Sequence, residues 1–251
     1  MEGQEYVTMY QNEDVHWWFQ GTRSVILDYS RDILQRTHEP HLKILDVGCG
    51  TGGTLMALKE FGAVAGVEMD PQAVQCCHER GLGEVTQGVA EDLPFPDDSF
   101  DIVFALDVIE HLDDDQLALA EFHRVLRPGG TLLVTVPAFP FLWSQHDVAL
   151  HHKRRYTAKT LLQSFSDASF QVEKWSYYNT VLFPIVAGVR LFQRIFGTEE
   201  ESPQSDVNLP TPWVNGFLFR ILSSERHMLR GMRLPFGVSL IARCSPIERS
   251  A

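Results

Sequence analysis

The sequence predicts an α/β fold built on a doubly wound, mostly parallel sheet, and three observations carry that prediction. Short β-rich runs alternate with segments of helical periodicity between residues 43 and 136, the pattern of strand–helix–strand units. An aliphatic strand, Ile44-Leu45-Asp46-Val47, runs straight into the glycine-rich stretch Gly48-Cys49-Gly50-Thr51-Gly52-Gly53. An acid, Glu68, ends the next strand about twenty residues later.

Taken in order, apolar residues first recur at helical spacing from Thr22 to Thr37 (Val25, Ile26, Tyr29, Ile33, Leu34), which reads as an amphipathic helix. Ahead of it stands the aromatic cluster His16-Trp17-Trp18-Phe19, placed on an N-terminal cap. Strands are expected at Lys43–Val47, Ala63–Val67, Asp101–Leu106 and Thr131–Val136. Between them lie helices after Gly53, from Pro71 to Arg80 and from Asp115 to Leu126. Arg127-Pro128-Gly129-Gly130 reads as a helix stop and turn before the last of these strands. Past Pro137 come a helix over Thr157–Ser166, with Thr157 as its cap, and a strand over Phe170–Tyr177. A final strand, Val238–Arg243, follows the turn signal Pro235-Phe236-Gly237. The stretch from about Asn179 to Leu234 holds two apolar helical segments, Val181–Phe196 and Trp213–Leu229, around a polar linker, Gly197–Pro210. It reads as an insertion in the last β-hairpin. The organisation expected is one domain over residues 1–251: a helical cap (1–40), the core (41–178 and 237–251) and a helical insertion or lid (179–236).

Composition excludes several classes. The chain has 251 residues with an apolar fraction of 44%, enough to bury one large core. Its formal charge of −12 argues against a protein that grips nucleic-acid backbone, so no nucleic-acid partner is expected. The longest uncharged apolar stretch, Val181–Val189, falls far short of the ~20 residues that span a bilayer. The N-terminus lacks the charged and apolar regions of a signal peptide. Cys49, Cys76, Cys77 and Cys244 form no CxxC pair, which reads as a reduced, cytoplasmic chain without a disulfide framework.

The glycine spacing fits two patterns. Gly48, Gly50 and Gly53 spell the GxGxxG of dinucleotide binders; Asp46 with Gly48, Gly50 and Gly52 spells DxGxGxG. The residues downstream decide between them: Glu68-Met69-Asp70-Pro71, Ala90-Glu91-Asp92-Leu93-Pro94-Phe95, Phe100-Asp101-Ile102-Val103 and Leu126-Arg127-Pro128-Gly129-Gly130. In this order the set resembles the class I S-adenosylmethionine-dependent methyltransferases, over roughly Leu42 to Val136. The resemblance implies a Rossmann-like, seven-stranded sheet with an antiparallel last strand, and S-adenosylmethionine as cofactor. It further implies that Gly48, Gly50 and Gly52 pass beside the cofactor's methionine part while Asp46 orients its amino group. Glu68 would take the ribose hydroxyls, Met69 would pack on the adenine, Ala90, Glu91, Asp92 and Leu93 would flank its edge, and Leu106 would lie beneath the methionine portion. Val89 stands where many relatives carry an acid for the adenine amino group, a role left to Glu91 or Asp92.

Acceptor chemistry belongs past the carboxyl ends of the strands, where open α/β sheets bind ligands. Two segments fall there. Asp107-Val108-Ile109-Glu110-His111 follows the fourth strand of the alternation. Its acid-x-x-Glu-His spacing resembles the metal-binding set of some quinone O-methyltransferases, with Asp107 replacing the usual first Glu. The pattern recurs in metal-free relatives, so no metal is expected. The second segment carries His146 and His151-His152-Lys153-Arg154-Arg155-Tyr156. Histidine titrates near neutrality, which makes His111, His146, His151 and His152 the candidate bases for an acceptor hydroxyl. Lys153, Arg154 and Arg155 are candidates for holding an anionic acceptor group, with Tyr156 beside them a further substrate candidate, and Trp17 and Trp18 for covering the cofactor or, equally, for stapling the first helix to the core. The aromatic cap and the basic stretch resemble a bacterial methyltransferase subgroup of glycan, lipid or secondary-metabolite pathways. The expected activity is methylation of a small molecule, oxygen favoured over nitrogen or carbon. A nicotinamide-dependent oxidoreductase and a non-catalytic binding module are the alternatives. A homodimer and a shallow membrane contact through the apolar insertion complete the expectations.

Overall fold

The computed structural model describes residues 3–36, 42–196 and 209–247. Two helices open the chain, α1 (Gly3–Asn12) and α2 (Trp17–Arg36). The alternating region follows as β1 (Leu42–Val47), α3 (Gly53–Leu58), β2 (Gly62–Glu68), α4 (Pro71–Glu79), β3 (Val85–Gln87), β4 (Phe100–Leu106), α5 (Asp115–Val125) and β5 (Leu126–Pro137). The remainder adds α6 (Gln145–Ala149), α7 (Ala158–Asp167), β6 (Phe170–Tyr178), α8 (Phe183–Phe196), α9 (Pro212–Gly231) and β7 (Ser239–Pro246). Among the described residues the seven strands join one sheet in the order β3-β2-β1-β4-β5-β7-β6, with β7 antiparallel to both its neighbours. The fold is the expected seven-stranded Rossmann-like sheet. Strand order reverses between β1 and β4, and the carboxyl ends of those two strands flank the crevice where such sheets bind ligands.

Alternation along the strands divides the core into two faces. Leu45, Val103, Ala105, Leu132 and Val134 point to one side, where they meet Ala118, Leu119 and Phe122 of α5 and Leu161 and Phe165 of α7. Ile44, Ile102, Phe104, Leu133 and Ile241 point to the other, against Val25, Ile26, Tyr29 and Ile33 of α2 and Leu229 of α9. Both faces are covered, which is why the central strands read as continuous apolar runs.

Four expectations are corrected. Trp17, Trp18 and Phe19 are not a cap ahead of the first long helix; they form the first turn of α2. A helix, α1, precedes them where no periodicity was read. The edge strand β3 went unread because three residues are too few to show alternation. Arg127–Gly130 lies inside β5 as a looped-out bulge: Leu126 pairs with Phe100 and Thr131 with Ile102, so four residues stand opposite Asp101 alone. Gly129, at φ +76°, turns that bulge, and Arg127 Nη1 pins it to Asp101 at 2.9 Å. Much of the linker read at Gly197–Pro210, residues 197–208, lies outside the described residues.

The two helices between β6 and β7 differ in kind. α9 packs along α2 and buries Leu222 and Leu229. Arg230 is paired with Asp28, and Arg226 Nη1 donates to Ser24 Oγ at 2.7 Å. The approach is close enough that a Cβ on Gly21 would stand 2.7 Å from Leu222 Cδ2 and 3.0 Å from Leu222 Cβ. α9 therefore belongs to the core and cannot be replaced by a short turn without exposing that face. α8 instead leaves Ile185, Val189, Leu191 and Phe192 exposed. Gly21→Val is expected to lower stability by about 2 kcal/mol through overpacking. In contrast, Gly188→Ala on α8, where nothing lies within 4 Å, should be neutral or stabilising by about 0.5–1 kcal/mol. Denaturant midpoints of the two variants measure the contrast.

Candidate active site

The turn after β1 is built by backbone that side chains tolerate poorly. Gly48 (φ +68°) would set a Cβ 2.6 Å from Val108 Cγ2, and Gly52 (φ +89°) would set one 2.6 Å from Leu82 Cδ1. Two carboxylates stand beside this turn. Glu68 Oε2 accepts from the Gly50 N–H at 2.9 Å and Oε1 from the Asp70 N–H at 3.0 Å. Asp70 in turn caps α4, accepting from the N–H groups of Gln72 and Ala73. Burial raises the Glu68 carboxyl above its usual range against the pull of these donors. Asp46 is buried, and its Oδ1 has no hydrogen-bond partner among the described residues. Burial first, then the charges of Glu68 and Glu13, push its carboxyl up to about 8.

Around these carboxylates the structure sets Met69, which is exposed and takes no part in the core, and Leu106, half-buried at the end of β4. Ala90 is buried, Glu91 half-buried and Asp92 exposed; Asp92 N–H donates to the Val89 carbonyl at 3.4 Å. The loop that carries them is held from behind by Arg124. Its guanidinium donates to the carbonyls of Leu93 (3.0 Å) and Phe95 (2.7 Å) and to both oxygens of Glu121, while Glu121 also accepts from the Leu93 N–H.

What covers the glycine turn was not legible in the residue pattern. Glu13, in the α1–α2 connection, is buried against it: one oxygen takes the Thr51 hydroxyl, the other the Gly53 N–H at 3.2 Å. Arg80 closes the arrangement on Glu13 and Asp14, each at 2.7 Å. Met9 of α1 reaches over Gly50, its methyl 3.2 Å from where a Cβ there would stand. Trp17 and Trp18 open α2. The Trp17 N–H donates to Asn215 Oδ1 of α9 at 2.9 Å, and the two indoles meet edge to face. The Trp17 backbone thereby ties the start of α2 to α9.

At the ends of β4 and β5 the two candidate loops converge. Asp107 takes φ +54°, an uncommon conformation for a side-chain-bearing residue. Glu110, in the short 3-10 turn Ile109–His111, is fully buried, and neither of its oxygens has a hydrogen-bond partner among the described residues. Burial, with Asp107 adding to it, raises its carboxyl well above the usual range. His111 and His152 meet edge to face with centroids 4.7 Å apart. Burial first, then the neighbouring His152, lower His111 to about 4, so its imidazole is neutral at physiological pH. His152 Nδ1 lies 2.9 Å from Asp147 Oδ1. Burial alone would raise Asp147, but His152 and Arg155 hold it well below the usual carboxylate range.

The four candidate histidines thus divide. His111 and His152 are together; His146 is half-buried on α6; His151 is exposed at φ +58°. The basic stretch does not present a row of open cations. Arg155 Nε is bound to Asp147 at 2.7 Å, and Arg154 donates to the carbonyls of Leu112 (2.8 Å) and Asp113 (2.6 Å). Tyr156 is turned into the core, its hydroxyl donating to Asp115 Oδ2 at 2.7 Å. Beside them, on the same sheet end, sequence reasoning missed an aromatic group. Phe139 stacks on Tyr177 at 4.8 Å and meets Phe141 and Phe183, and Phe183 meets Phe236.

Comparison with known proteins fits this geometry. A family profile described as a methyltransferase domain matches residues 45–134. The chain is 30% identical to the 2-methyl-6-phytyl-1,4-hydroquinone methyltransferase of Synechocystis sp., a match covering 92% of this chain and 79% of that protein. It is 29% identical to a sterol 4-C-methyltransferase of Caenorhabditis elegans over 52% of this chain but only 43% of the nematode protein. Among solved structures, a geranyl diphosphate methyltransferase in complex with S-adenosylmethionine shares the fold, with a TM-score of 0.60 at 15% identity, covering 89% of this chain and 85% of that one. The nicotinamide alternative falls with these matches. With this sheet topology, and with 92% of its length matched at 30% identity by a methyltransferase relative, the chain belongs to the class I S-adenosylmethionine-dependent methyltransferases.

Proposed function

We propose that the enzyme methylates a hydroxyl oxygen of a small acceptor with a largely apolar body, in lipid or secondary metabolism. The observation that carries this reading is the wall formed by Phe139, Phe141, Tyr177, Phe183 and Phe236 at the sheet end that also holds His111 and His152. Phe141 and Phe236 are 52% and 40% exposed, so the wall has apolar surface left for a ligand. Both relatives named above bear acceptors in their names with rings on apolar bodies, a hydroquinone and a sterol.

The residues present fit the cofactor. Its amino and sulfonium groups are cationic, and Asp46 offers a buried, unpartnered oxygen beside the glycine turn. In this reading Asp46 orients the amino group, Gly48, Gly50 and Gly52 let the backbone approach, and Glu68 takes the ribose hydroxyls. Met69 packs on the adenine, Ala90, Glu91 and Asp92 flank it, and Leu106 supports the methionine part. S-adenosylmethionine, when bound, supplies the methyl: the acceptor oxygen forms the new C–O bond while the C–S pair returns to sulfur. The chain then aligns and dries the site. Met9 and Glu13 close the cofactor side, α8 covers the acceptor side, and the hydroxyl is held and loses its proton at the Glu110–His111–His152 group.

Transfer of a labelled methyl group to matched acceptors tests the reading. A phenol carrying a long alkyl chain should be converted to its ether. The corresponding amine and a free sugar should stay unlabelled. Phe183→Ala should raise KM for the alkylated phenol about tenfold and leave cofactor affinity unchanged. Labelling of the amine in preference to the phenol would overturn the assignment to oxygen, and labelling of the sugar alone would overturn the apolar acceptor.

A further inference from the structure

We propose that Glu110, His111 and His152 form a binding site for a first-row divalent cation, which holds the acceptor oxygen; the second half of this statement rests on the hydroxyl reading above. One ligand atom from each residue lies within 4.8 Å of the other two. Atoms sharing an ion at ~2.1 Å stand roughly 3–3.5 Å apart, so small side-chain rotations bring the three onto one centre.

Three observations point to an ion. Glu110 is buried with both oxygens unpartnered, an arrangement that native proteins avoid unless something else satisfies the group. A cation supplies the missing partner. Next, the His152 imidazole is oriented from behind. His152 Nδ1 is engaged by Asp147, which Arg155 and the Ser144 N–H fix in turn, and the His111 ring packs edge to face against that of His152. His152 therefore has one nitrogen tied and one left for the cluster, the carboxylate–histidine arrangement that supports metal ligands. Finally, the two contributing loops are locked to each other, since the Lys153 N–H donates to the Glu110 carbonyl at 2.7 Å. The third ligand thus comes from a loop some forty residues away in sequence, and this pairing is built in before any ion arrives.

The donor set of two imidazoles and one carboxylate suits Zn²⁺, Mn²⁺, Fe²⁺ or Co²⁺ better than Mg²⁺ or Ca²⁺. Three protein ligands leave positions open. A hydroxyl bound there becomes acidic enough to give its proton to water near neutral pH, which frees the electron pair that forms the C–O bond. In this account His111 and His152 act as ligands, and neither is the base.

The test needs neither acceptor nor S-adenosylmethionine. Full-length protein stripped with a chelator is titrated with Zn²⁺ by calorimetry and with Co²⁺ by visible absorption. One equivalent should bind, with the Co²⁺ spectrum of a low-symmetry nitrogen–oxygen site. Glu110→Gln and His152→Asn should each weaken Zn²⁺ binding by a hundredfold or more, and Asp147→Asn about tenfold. His227→Ala, on α9, should leave it unchanged. Circular dichroism checks that each variant is folded, and the cobalt spectrum of the unmodified chain tests the site even where a variant fails to fold. Absence of stoichiometric binding, or binding that survives Glu110→Gln and His152→Asn in folded protein, would overturn the site. If the ion binds and the alkylated phenol is not methylated, the site stands and the hydroxyl reading fails.

Discussion

Glu68→Ala is expected to lower the affinity for S-adenosylmethionine by a hundredfold or more, with the fold retained. The size follows from how many partners the carboxylate has at once. Its two oxygens accept from the Gly50 and Asp70 N–H groups, so it fixes the glycine turn to the start of α4 and also faces the space assigned to the ribose. Hydrogen bonds to a charged group contribute about 1.5–3 kcal/mol each. Losing the ribose contact together with the turn geometry that the other two bonds hold costs binding the equivalent of about two such bonds, about 3–6 kcal/mol, or two to four orders of magnitude in Kd. Calorimetry on the variant reads this directly, and its melting curve without cofactor should keep a single cooperative transition. A Kd within threefold of the unmodified enzyme would mean that Glu68 is a structural clamp with no part in binding.

How much of this was legible in the sequence depended on the range of the physics involved. Strands β1, β2, β4 and β5 announced themselves because both faces are covered and their aliphatic runs end at a glycine (β1), an acid (β2, β4) or a proline (β5). The pairing of Asp46 with Glu68 was legible too, since both sit at strand ends within one strand–helix–strand unit. What could not be read was contact across distant segments. Glu13 and Arg80 are 67 residues apart, and nothing in the run around Glu13 distinguishes it from a solvated acid. For the same reason the stretch Lys153-Arg154-Arg155 looked like a patch of open charge. The partners that occupy it, Asp147 and the carbonyls of Leu112 and Asp113, reveal themselves only when the loops after β4 and β5 fold together. Tyr156 follows the same logic, since its partner Asp115 opens α5. Glu110 is a further instance. In sequence it stands in an acid-x-x-Glu-His run; in the fold it is a fully buried carboxylate whose ligand atom lies within 4.8 Å of those of His111 and of His152, which comes from a different loop.

The carboxylates beside the glycine turn also predict a proton-linked affinity. In the empty enzyme, burial and the neighbouring charges of Glu68 and Glu13 hold Asp46 up at about 8, so it carries a proton at pH 6.5. A cationic cofactor beside it favours the ionised form, lowering that pKa, and binding must therefore expel the proton. The sign follows: affinity rises with pH, by up to tenfold per unit, between about pH 5.5 and 7.5, where the cofactor's own amino group stays charged. Calorimetry in buffers of different ionisation enthalpy should count close to one proton released at pH 6.5. Asp46→Asn should bind more weakly and lose most of the slope, since its amide has no proton to give up. The same shift acts on stability. A carboxyl with a raised folded pKa keeps a proton that the unfolded chain has lost, so stability falls as pH rises from about 4 towards 8. The melting temperature of the cofactor-free enzyme should drop over the upper part of that window, and drop less in Asp46→Asn. A pH-independent Kd with no proton released would show that Asp46 is already ionised and does not meet the cofactor's positive charge.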